Sequence, residues 1–533
     1  MSNNLFDKTF AKRSAISLIL IFLAFLICLL RITVIASSDY AERCENQITY
    51  KIPVCRLRGS IMDCNMLPIT NSETEIYAAC LPTSSAKAII PTLLEGKEKE
   101  RVTGILADNG CAVCVVPYEV DCDGVTYIKL PKRVGENTLA HHIIGCVNSE
   151  MSGTSGLEYA YNDILSSGSL LYAYFTVDGK GDYLLGVPPY FGPCESISSN
   201  SVVTTIDINI QKAVEGSLGG MIKGAVIVCE SQTGKIRAIC SKPDFSFEDL
   251  EKSLNDTNSP LVNRAVSCFS VGSVFKPCIA AAAIENGMGN TLFTCEGKTQ
   301  IENRTFNCHK HEGHGLADMR LALKESCNCY FYNLSCNLGA ETIYTYAKRF
   351  SLGSKIKLGD NIYAESGIIP SVSKLETLSS RANFGIGQGE ILLSPVALLN
   401  LYNAIATDGS YVMPSLIEKT VCMGKTEEYK PFPPTKAIKS STAKELRSYL
   451  QDVVEDGTGI AAKSEKITAA GKTATAQTGR FNINGTEITN SWFCGYSSIN
   501  NTMYTVVVMS EGDFQKSPSA IFREICENIN DLY

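Results

Sequence analysis

The chain reads SVGSVFKPCIAAAAIENG from Ser270 to Gly287. Proline fits inside a helix only in its first turn, so Pro277 and the alanine run after it predict a helix that begins near Ser273 and ends at Gly287. Ser273 and Lys276 are three residues apart, so their side chains share one face beside backbone N–H groups that lack helical partners. A lysine whose pKa is lowered by burial can take the proton of a serine, which makes the pair a candidate nucleophile and base.

This pair is a weak signal by itself, because most matches of this length are a capping serine and a surface lysine. Downstream, the segment ESCN places Ser326 and Asn328 two positions apart, where a hydroxyl and an amide can reach one cavity. A serine and an asparagine at this spacing are common, so the evidence for a catalytic site lies in the order of the segments along the chain.

A third segment, KTAT, lies upstream of Asn484-Gly485, which is a strong signal for a β-hairpin. On a strand, the side chains of Lys472 and Ala474 face one way and those of Thr473 and Thr475 face the other. An edge strand can also pair with an extended peptide through its backbone. Without the other two segments, this strand would be interpreted as a solvated edge.

Hairpin and helix signals surround these segments. The apolar runs 225–229 and 235–240 are joined by a QTG turn, and MYTVVVMS at 503–510 precedes the helical stretch 519–530. Strands, then helices, then strands with a final helix predict an α+β fold with a central antiparallel sheet flanked by helices.

Composition narrows the functional class. The 533 residues suggest about three or four domains. The chain is 45% hydrophobic and 19% charged, which excludes a wholly disordered or fibrous protein. The net charge is −7 and no basic block occurs, so we expect no nucleic-acid partner.

Seventeen uncharged residues, SAISLILIFLAFLICLL, lie between Arg13 and Arg31. They predict a single transmembrane anchor over 14–36, because Arg31 can extend its charge toward the membrane surface. Basic residues in the 1–13 tail place the N-terminus in the cytoplasm and the later domains outside the cell membrane. The alternative is a signal peptide with a processing site at 34–36, but the run is longer than a usual signal core.

The remaining chain divides by composition. Residues 38–185 mix short strand-like runs with turns, residues 186–203 carry three prolines and a Ser/Asn cluster typical of a linker, and 204–533 hold the three segments. Of the 22 cysteines, 21 lie outside the anchor, so at least one thiol has no partner within the chain. We expect most of them to be reduced core residues.

The three segments resemble the SxxK, SxN and KTG signature of the penicilloyl-serine transferases. Over nearly its whole length, the chain is similar to class B penicillin-binding proteins of the division or sporulation type, which are monofunctional peptidoglycan D,D-transpeptidases. Further matches are RGSIMDCN at 58–65, GLE at 156–158, NRA at 263–265 and GQG at 387–389. In this resemblance 38–185 is the pedestal, or dimerisation-like, domain and 204–533 the transpeptidase domain. A glycosyltransferase domain does not fit between anchor and transpeptidase domain, which argues against the bifunctional class A.

The resemblance implies four catalytic residues. Ser273 attacks the penultimate D-alanine carbonyl of a stem peptide and forms an acyl-enzyme, and Lys276 takes the serine proton. Ser326 relays the proton to the departing D-alanine, and Asn328 holds the substrate amide.

The resemblance also implies how ligands bind. Lys472, Thr473 and Thr475 gather the terminal carboxylate of the stem peptide, and the backbone N–H groups of Ser273 and Thr475 form the oxyanion hole. β-Lactams acylate the same serine, no cofactor is needed, and a multi-span polymerase of glycan strands is the expected partner.

One position departs from the family signature. Ala474 replaces the glycine of KTG, and its methyl group could crowd the SxxK helix or the substrate. We expect activity to survive, because alanine is the smallest change. The alternatives are a catalytically weak scaffold of a wall-synthesis complex and a β-lactam sensor or hydrolase. The long pedestal domain argues against a sensor or hydrolase.

A CHxHxxH cluster suggests metal binding. It contains Cys308, His309, His311 and His314. Ligands at adjacent positions are awkwardly close for one ion, and the stretch resembles an ordinary loop of the family. We therefore expect no metal site, with zinc as the alternative.

Overall fold

The computed structural model describes residues 3–37, 49–135, 138–166, 168, 170–178, 180, 182–184, 186–192, 200–247, 249–482, 484–512 and 514–533. These residues form two compact units that are interleaved along the chain. The first comprises Met1–Leu57, Thr74–Pro131 and Ser169–Ser196, and the second Arg58–Glu73, Lys132–Gly168 and Ile197–Tyr533.

The first unit begins with a helix over Asn3–Ala36, of which Lys8–Ala36 is long and apolar enough to cross a membrane. The described part of its fold contains two three-stranded sheets and three short helices. One sheet is formed by Thr49–Arg56, Leu170–Thr176 and Tyr190–Gly192, and the other by Ala112–Val116, Glu73–Cys80 and Val125–Lys132. The helices are Ser84–Ile89, the 3₁₀ turn Ile90–Leu93 and Gly96–Ala107.

A five-stranded antiparallel sheet is the centre of the second unit. Its strands, in chain order, are β1 (Gly224–Glu230), β2 (Ile236–Lys242), β3 (Thr468–Phe481), β4 (Glu487–Ile499) and β5 (Thr502–Glu511). The spatial order is 2-1-5-4-3, which leaves β3 at an edge. The predicted β1–β2 and β3–β4 hairpins and the α+β class are confirmed.

Helices cover both faces of this sheet. In β1, Val226 and Val228 belong to the core under Pro518–Asn530, whereas Ala225 and Ile227 face a larger helical layer. That layer contains α1 (Lys276–Glu285) and α2 (Asn328–Leu338). Apolar residues on both sides of the central strands β1 and β5 therefore bury these strands between two helical layers.

The second unit contains further small sheets and helices. A four-stranded sheet joins Lys425–Glu428, Ile417–Cys422, Ser201–Thr204 and Ser60–Met62, and strand pairs join Phe293–Cys295 to Gly315–Ala317, Lys298–Ile301 to Arg304–Asn307, Ile356–Gly359 to Ile362–Ala364, and Ser410–Tyr411 to Thr435–Lys436. The helices are His141–Ile144, Gly156–Ala160, Asn162–Leu165, Ile208–Gly216, Leu250–Asn255, Met319–Lys324, Ala340–Arg349, Leu378–Gly385, Pro395–Ala406 and Ser440–Glu455, with 3₁₀ turns at Gly272–Phe275, Val372–Leu375 and Ile460–Ala462.

The predicted linker 186–203 differs from the structure at its end. Residues 193–199 lie outside the described residues, and Ser201–Thr204 is a strand instead. Val202 and Val203 are fully buried, so this segment contributes to the core of the second unit and not to a solvated connection.

A buried ion cluster explains why parts of 38–185 belong to the second unit. Arg58 Nε lies 2.6 Å from Glu158 Oε2, and Arg133 Nε lies 2.7 Å from Glu158 Oε1. All three side chains are buried. An unpaired buried charge costs about 3–5 kcal/mol, so these three segments stay together in one unit.

Candidate functional site

The nucleophile segment forms as the sequence predicts. Gly272–Phe275 is a 3₁₀ turn that leads into α1, and Pro277 stands in the first turn of the helix. Ser273 is half-buried, so its hydroxyl remains within reach of a ligand. Residues from Lys276 to Ala283 are all buried, because the alanine run gives α1 an apolar surface on every side.

Lys276 connects the first segment to the second. Its Nζ lies 2.7 Å from the backbone oxygen of Ser326, 3.2 Å from Ser326 Oγ and 2.7 Å from Asn328 Oδ1. Ser326 has a φ of 58°, a left-handed conformation that is uncommon for serine and costs about 1–3 kcal/mol. This turn directs both the hydroxyl and the carbonyl of Ser326 at the lysine.

Burial lowers the pKa of Lys276 to about 7, with the nearby Cys327, Cys308 and Cys329 acting in the opposite direction. The amine of Lys276 is therefore neutral in a large fraction of molecules near neutral pH, as a base requires. Burial and then the charge of Lys276 hold the pKa of Lys472 well below its usual range. Burial of the Lys276 amine therefore explains how a base can exist there.

The third segment lies on the edge strand β3. Lys472 and Ala474 are buried, Thr473 is half-buried and Thr475 is exposed, so the predicted alternation is confirmed. Thr473 Oγ1 donates to Thr458 Oγ1 at 2.9 Å, which fixes its rotamer. The free edge of β3 leaves backbone groups available to an extended peptide.

β3 packs directly against the nucleophile turn. A Cβ atom placed on Gly272 would lie 3.4 Å from the Ala474 Cβ and 3.2 Å from the Ala476 Cβ. The indole Nε1 of Trp492, on the neighbouring β4, donates to the backbone oxygen of Ser270 at 2.9 Å. The methyl group of Ala474 therefore faces the SxxK segment, and the missing side chain of Gly272 makes space for it.

Replacing Ala474 by glycine is expected to change the rate of acylation by a penicillin less than about threefold, because the methyl group blocks no backbone contact. Gly272→Ala is the matched change on the other side of this contact. Its φ of 61° and its 3.2 Å approach to Ala476 strain an alanine, so we expect acylation to slow at least about tenfold. Labelling with a fluorescent penicillin, stopped at a series of times, measures both rates. Equal effects of the two changes would contradict this geometry.

A cluster of sulfur and nitrogen ligands adjoins the second segment. The ligand atoms of Cys295, Cys308, His314 and Cys327 all lie within 4.8 Å of one another. The sequence pattern indicated Cys308 and His314 but missed Cys295 and Cys327, while His309 and His311 are not among these four. Cys295 lies thirteen residues before Cys308, and Cys327 lies thirteen residues after His314. These equal intervals are the sequence signal that could have indicated the two missed cysteines.

Comparisons with known proteins agree with this geometry. The family described as penicillin binding protein transpeptidase domain matches residues 224–530. Stage V sporulation protein D of Bacillus subtilis is 26% identical over 372 residues, 64% of this chain and 55% of that protein. Peptidoglycan D,D-transpeptidase MrdA of Acinetobacter baumannii is 27% identical over 359 residues, 62% of this chain and 51% of that protein. The chain thus spans about half the length of these curated relatives.

A solved structure shows the same fold. Penicillin-binding protein 3 of Mycobacterium tuberculosis, complexed with aztreonam, superposes with a TM-score of 0.65 at 22% identity. The alignment covers 91% of this chain and 97% of that chain. The similarity extends over both compact units, because neither unit alone amounts to that share of the sequence.

Proposed function

Because the chain belongs to the penicillin-binding protein transpeptidase family, which matches more than half of it, we propose that it is a serine-type peptidoglycan D,D-transpeptidase. The observation that carries the proposal is the contact of the Lys276 amine with both Ser326 and Asn328, one helical turn from Ser273. This contact joins the first two segments, and the packing of Ala474 against Gly272 adds the third.

In the proposed reaction, Ser273 Oγ attacks the carbonyl carbon between two D-alanine residues while Lys276 accepts its proton. The carbon–nitrogen bond then breaks, and Ser326 Oγ passes a proton from Lys276 to the departing amine. The products of this half-reaction are free D-alanine and an ester on Ser273. An amine of a second stem peptide attacks that ester, releases the serine and closes the cross-link.

Substrate binding follows from exposure along β3. The hydroxyls of Thr473 and Thr475 reach the surface, so they contact the terminal carboxylate directly. Lys472 is fully buried behind them and supplies positive charge when the anion arrives. Asn328 presents its oxygen to Lys276, so its amide nitrogen faces the opposite way, toward the substrate carbonyl. The backbone N–H groups of Ser273 and Thr475 form the oxyanion hole.

The proposed location is the outer face of the cell membrane. The helix ending at Ala36 serves as a single-pass anchor, and Lys8, Lys12 and Arg13 keep its N-terminus in the cytoplasm. β-Lactams and peptidoglycan stem peptides are then the ligands of the site. A multi-span polymerase of glycan strands is the expected partner, by resemblance to the family.

The alternative of a catalytically weak scaffold rested on Ala474. The space that Gly272 leaves for its methyl group favours the enzyme instead. Intact Ser273, Lys276, Ser326 and Asn328 support the same choice.

The proposal is tested with the full chain in detergent, given glycan strands that carry stem pentapeptides. We expect release of D-alanine together with new amide cross-links, detected by mass spectrometry after muramidase digestion, and loss of both after penicillin treatment. D-Alanine release with hydrolysis alone would assign a carboxypeptidase. No release from folded protein would favour the scaffold.

A further inference from the structure

The first unit contains a sheet with one buried and one open face, and its central strand is Leu170–Thr176. Ala173 and Phe175 are fully buried in the core of that unit. Tyr172 and Tyr174 alternate with them and are half-buried, so these two tyrosines lie on the opposite face. We call this side the open face of the sheet.

The neighbouring strands extend the aromatic row on the open face. Tyr190, on the edge strand, pairs with Tyr174, and their rings are stacked with centroids 4.9 Å apart and planes 4° apart. On the other side, Lys51 Nζ lies 3.9 Å from the centroid of the Tyr172 ring, which is a cation–π contact. Cross-strand contacts of this kind stabilise a sheet by about 0.2–1 kcal/mol, but that role does not require an exposed ring. Tyr190 is nevertheless 58% exposed.

Gly192 leaves one place in this row empty. It pairs with Tyr172 and follows Tyr190 by two residues, so a side chain at this position would stand on the open face. A Cβ atom built on Gly192 meets no atom closer than 3.6 Å, and its φ is outside the left-handed region. Neither space nor backbone conformation therefore requires a glycine here. Side chains two residues apart on a strand are separated by about 6.8 Å, so the empty place admits one flat ring.

The charges on this sheet are all positive. Its three strands contain Lys51 and Arg56 and neither Asp nor Glu. Arg56 is exposed and pairs with Leu170, on the same face as the tyrosines. Within the described part of the chain, neither cation forms an ion pair. The open face therefore favours a ligand that carries carboxylates over a cationic one.

We propose that the open face binds the glycan strand of peptidoglycan, with one sugar ring seated over Gly192 between Tyr172 and Tyr190. This inference rests on the proposed function, because peptidoglycan is the substrate assigned there. The axial C–H groups of a pyranose make one side of the sugar apolar, and that side packs on an aromatic ring. Tyrosine hydroxyls are donors and acceptors for the hydroxyl and N-acetyl groups at the rim of the sugar. Lys51 and Arg56 complement the carboxylates of the attached stem peptides.

The open face acts on the reaction only through binding. A glycan strand carries many stem peptides, so a molecule that already holds the strand meets these peptides at a raised effective concentration. Loss of this binding raises the KM for strand-linked stem peptides and leaves kcat unchanged. Tyr172, Tyr190 and Gly192 are thus binding residues and not catalytic ones.

Isothermal titration calorimetry tests the binding, with the full chain in detergent, its active site blocked by penicillin, and uncross-linked glycan strands that carry stem pentapeptides as the probe. Gly192→Val fills the empty place, and a β-branched residue opposite Tyr172 favours the strand, so this variant keeps the sheet intact. We expect it to bind the strands at least about tenfold more weakly than the wild type, and Tyr190→Ala to do the same.

The matched control is Tyr118→Ala. Tyr118 lies in the same unit and is also 58% exposed, but it is outside the sheet. This variant is expected to bind with the affinity of the wild type. Wild-type affinity of Gly192→Val would overturn the proposal, and so would an equal loss of affinity in Tyr118→Ala.

Saturation-transfer NMR on the unaltered protein identifies the part of the ligand that is bound. The probes are a hexamer of β-1,4-linked N-acetylglucosamine and a free stem pentapeptide, each added to the penicillin-blocked chain. Transfer from the aromatic protons of the protein to the axial ring protons of the sugar is the expected result. Transfer to the pentapeptide with none to the sugar would assign the face to a peptide and overturn the glycan.

Cross-linking kinetics separate this inference from the proposed function. We expect Gly192→Val to raise the KM for strand-linked pentapeptides at least about threefold, with kcat and the rate of penicillin acylation unchanged. A lowered kcat at unchanged KM would refute the binding role. Wild-type protein that binds glycan strands but never releases D-alanine or reacts with penicillin would count against the transpeptidase and not against the binding face.

Discussion

Ser273→Ala is expected to abolish covalent labelling of the full chain by a fluorescent penicillin. The ester in an acyl-enzyme needs an oxygen nucleophile at this position, and alanine has none. Ser326 Oγ lies 3.2 Å from the Lys276 amine, but it belongs to the second segment, where we propose that it relays a proton, so we do not expect it to replace the lost hydroxyl. We expect the rate to fall by at least about 10³-fold, as in enzymes that lose their nucleophile.

The control is Ser371→Ala, which removes an exposed hydroxyl whose partner is Ser373. It is expected to label at the wild-type rate. Circular dichroism establishes that Ser273→Ala is folded. A folded variant that still labels like the wild type would contradict the assignment of the nucleophile.

Changes at Lys276 are expected to have the second largest effect. Lys276→Met keeps the length of the side chain but removes the amine that bonds Ser326 and Asn328 and that we propose takes the proton of Ser273. General-base catalysis contributes about 10²–10⁴-fold, so acylation by penicillin should slow by that factor. Lys276→Arg should be equally impaired, because a guanidinium does not give up its proton in a protein.

The pH profile tests the same role without a mutation. The pKa of Lys276 is lowered to about 7, so its amine is protonated below that pH and free to act as a base above it. The acylation rate of the wild type should therefore rise with pH through about 7 and then level off. Lys374→Met, at an exposed ion pair with Glu390, is the control and should leave the profile unchanged. A flat profile between pH 5 and pH 9 (roughly two units either side) or full activity of Lys276→Arg would refute a basic lysine.

Local signals in the sequence predicted much of the fold and of the site. Pro277 predicted the start of α1, and Asn484-Gly485 predicted the β3–β4 hairpin. The alternation of side chains along β3 predicted that Lys472 and Ala474 share one face. Each of these depends on neighbours a few residues away, so elementary chain geometry suffices to infer them.

Contacts between distant segments could not be predicted in this way. The strand Ser201–Thr204 pairs with residues 60–62 and 417–422, and this placed part of the expected linker in the core. The sulfur cluster combines Cys295 and Cys327 with a histidine loop between them. No pattern among neighbouring residues indicates that the two ends of the segment 295–327 lie close together. The strained turn at Ser326 likewise follows from tertiary contacts and not from sequence preference.

We expect acylation at Ser273, in a site formed by the three segments. Mass spectrometry of the full chain after brief exposure to penicillin, followed by peptide mapping, tests it most directly. We predict one penicilloyl group per chain, on the peptide that contains Ser273 and on that side chain. An adduct on Ser326, on Thr473 or on a cysteine, or no adduct on a folded chain, would contradict the assignment of Ser273 as the nucleophile.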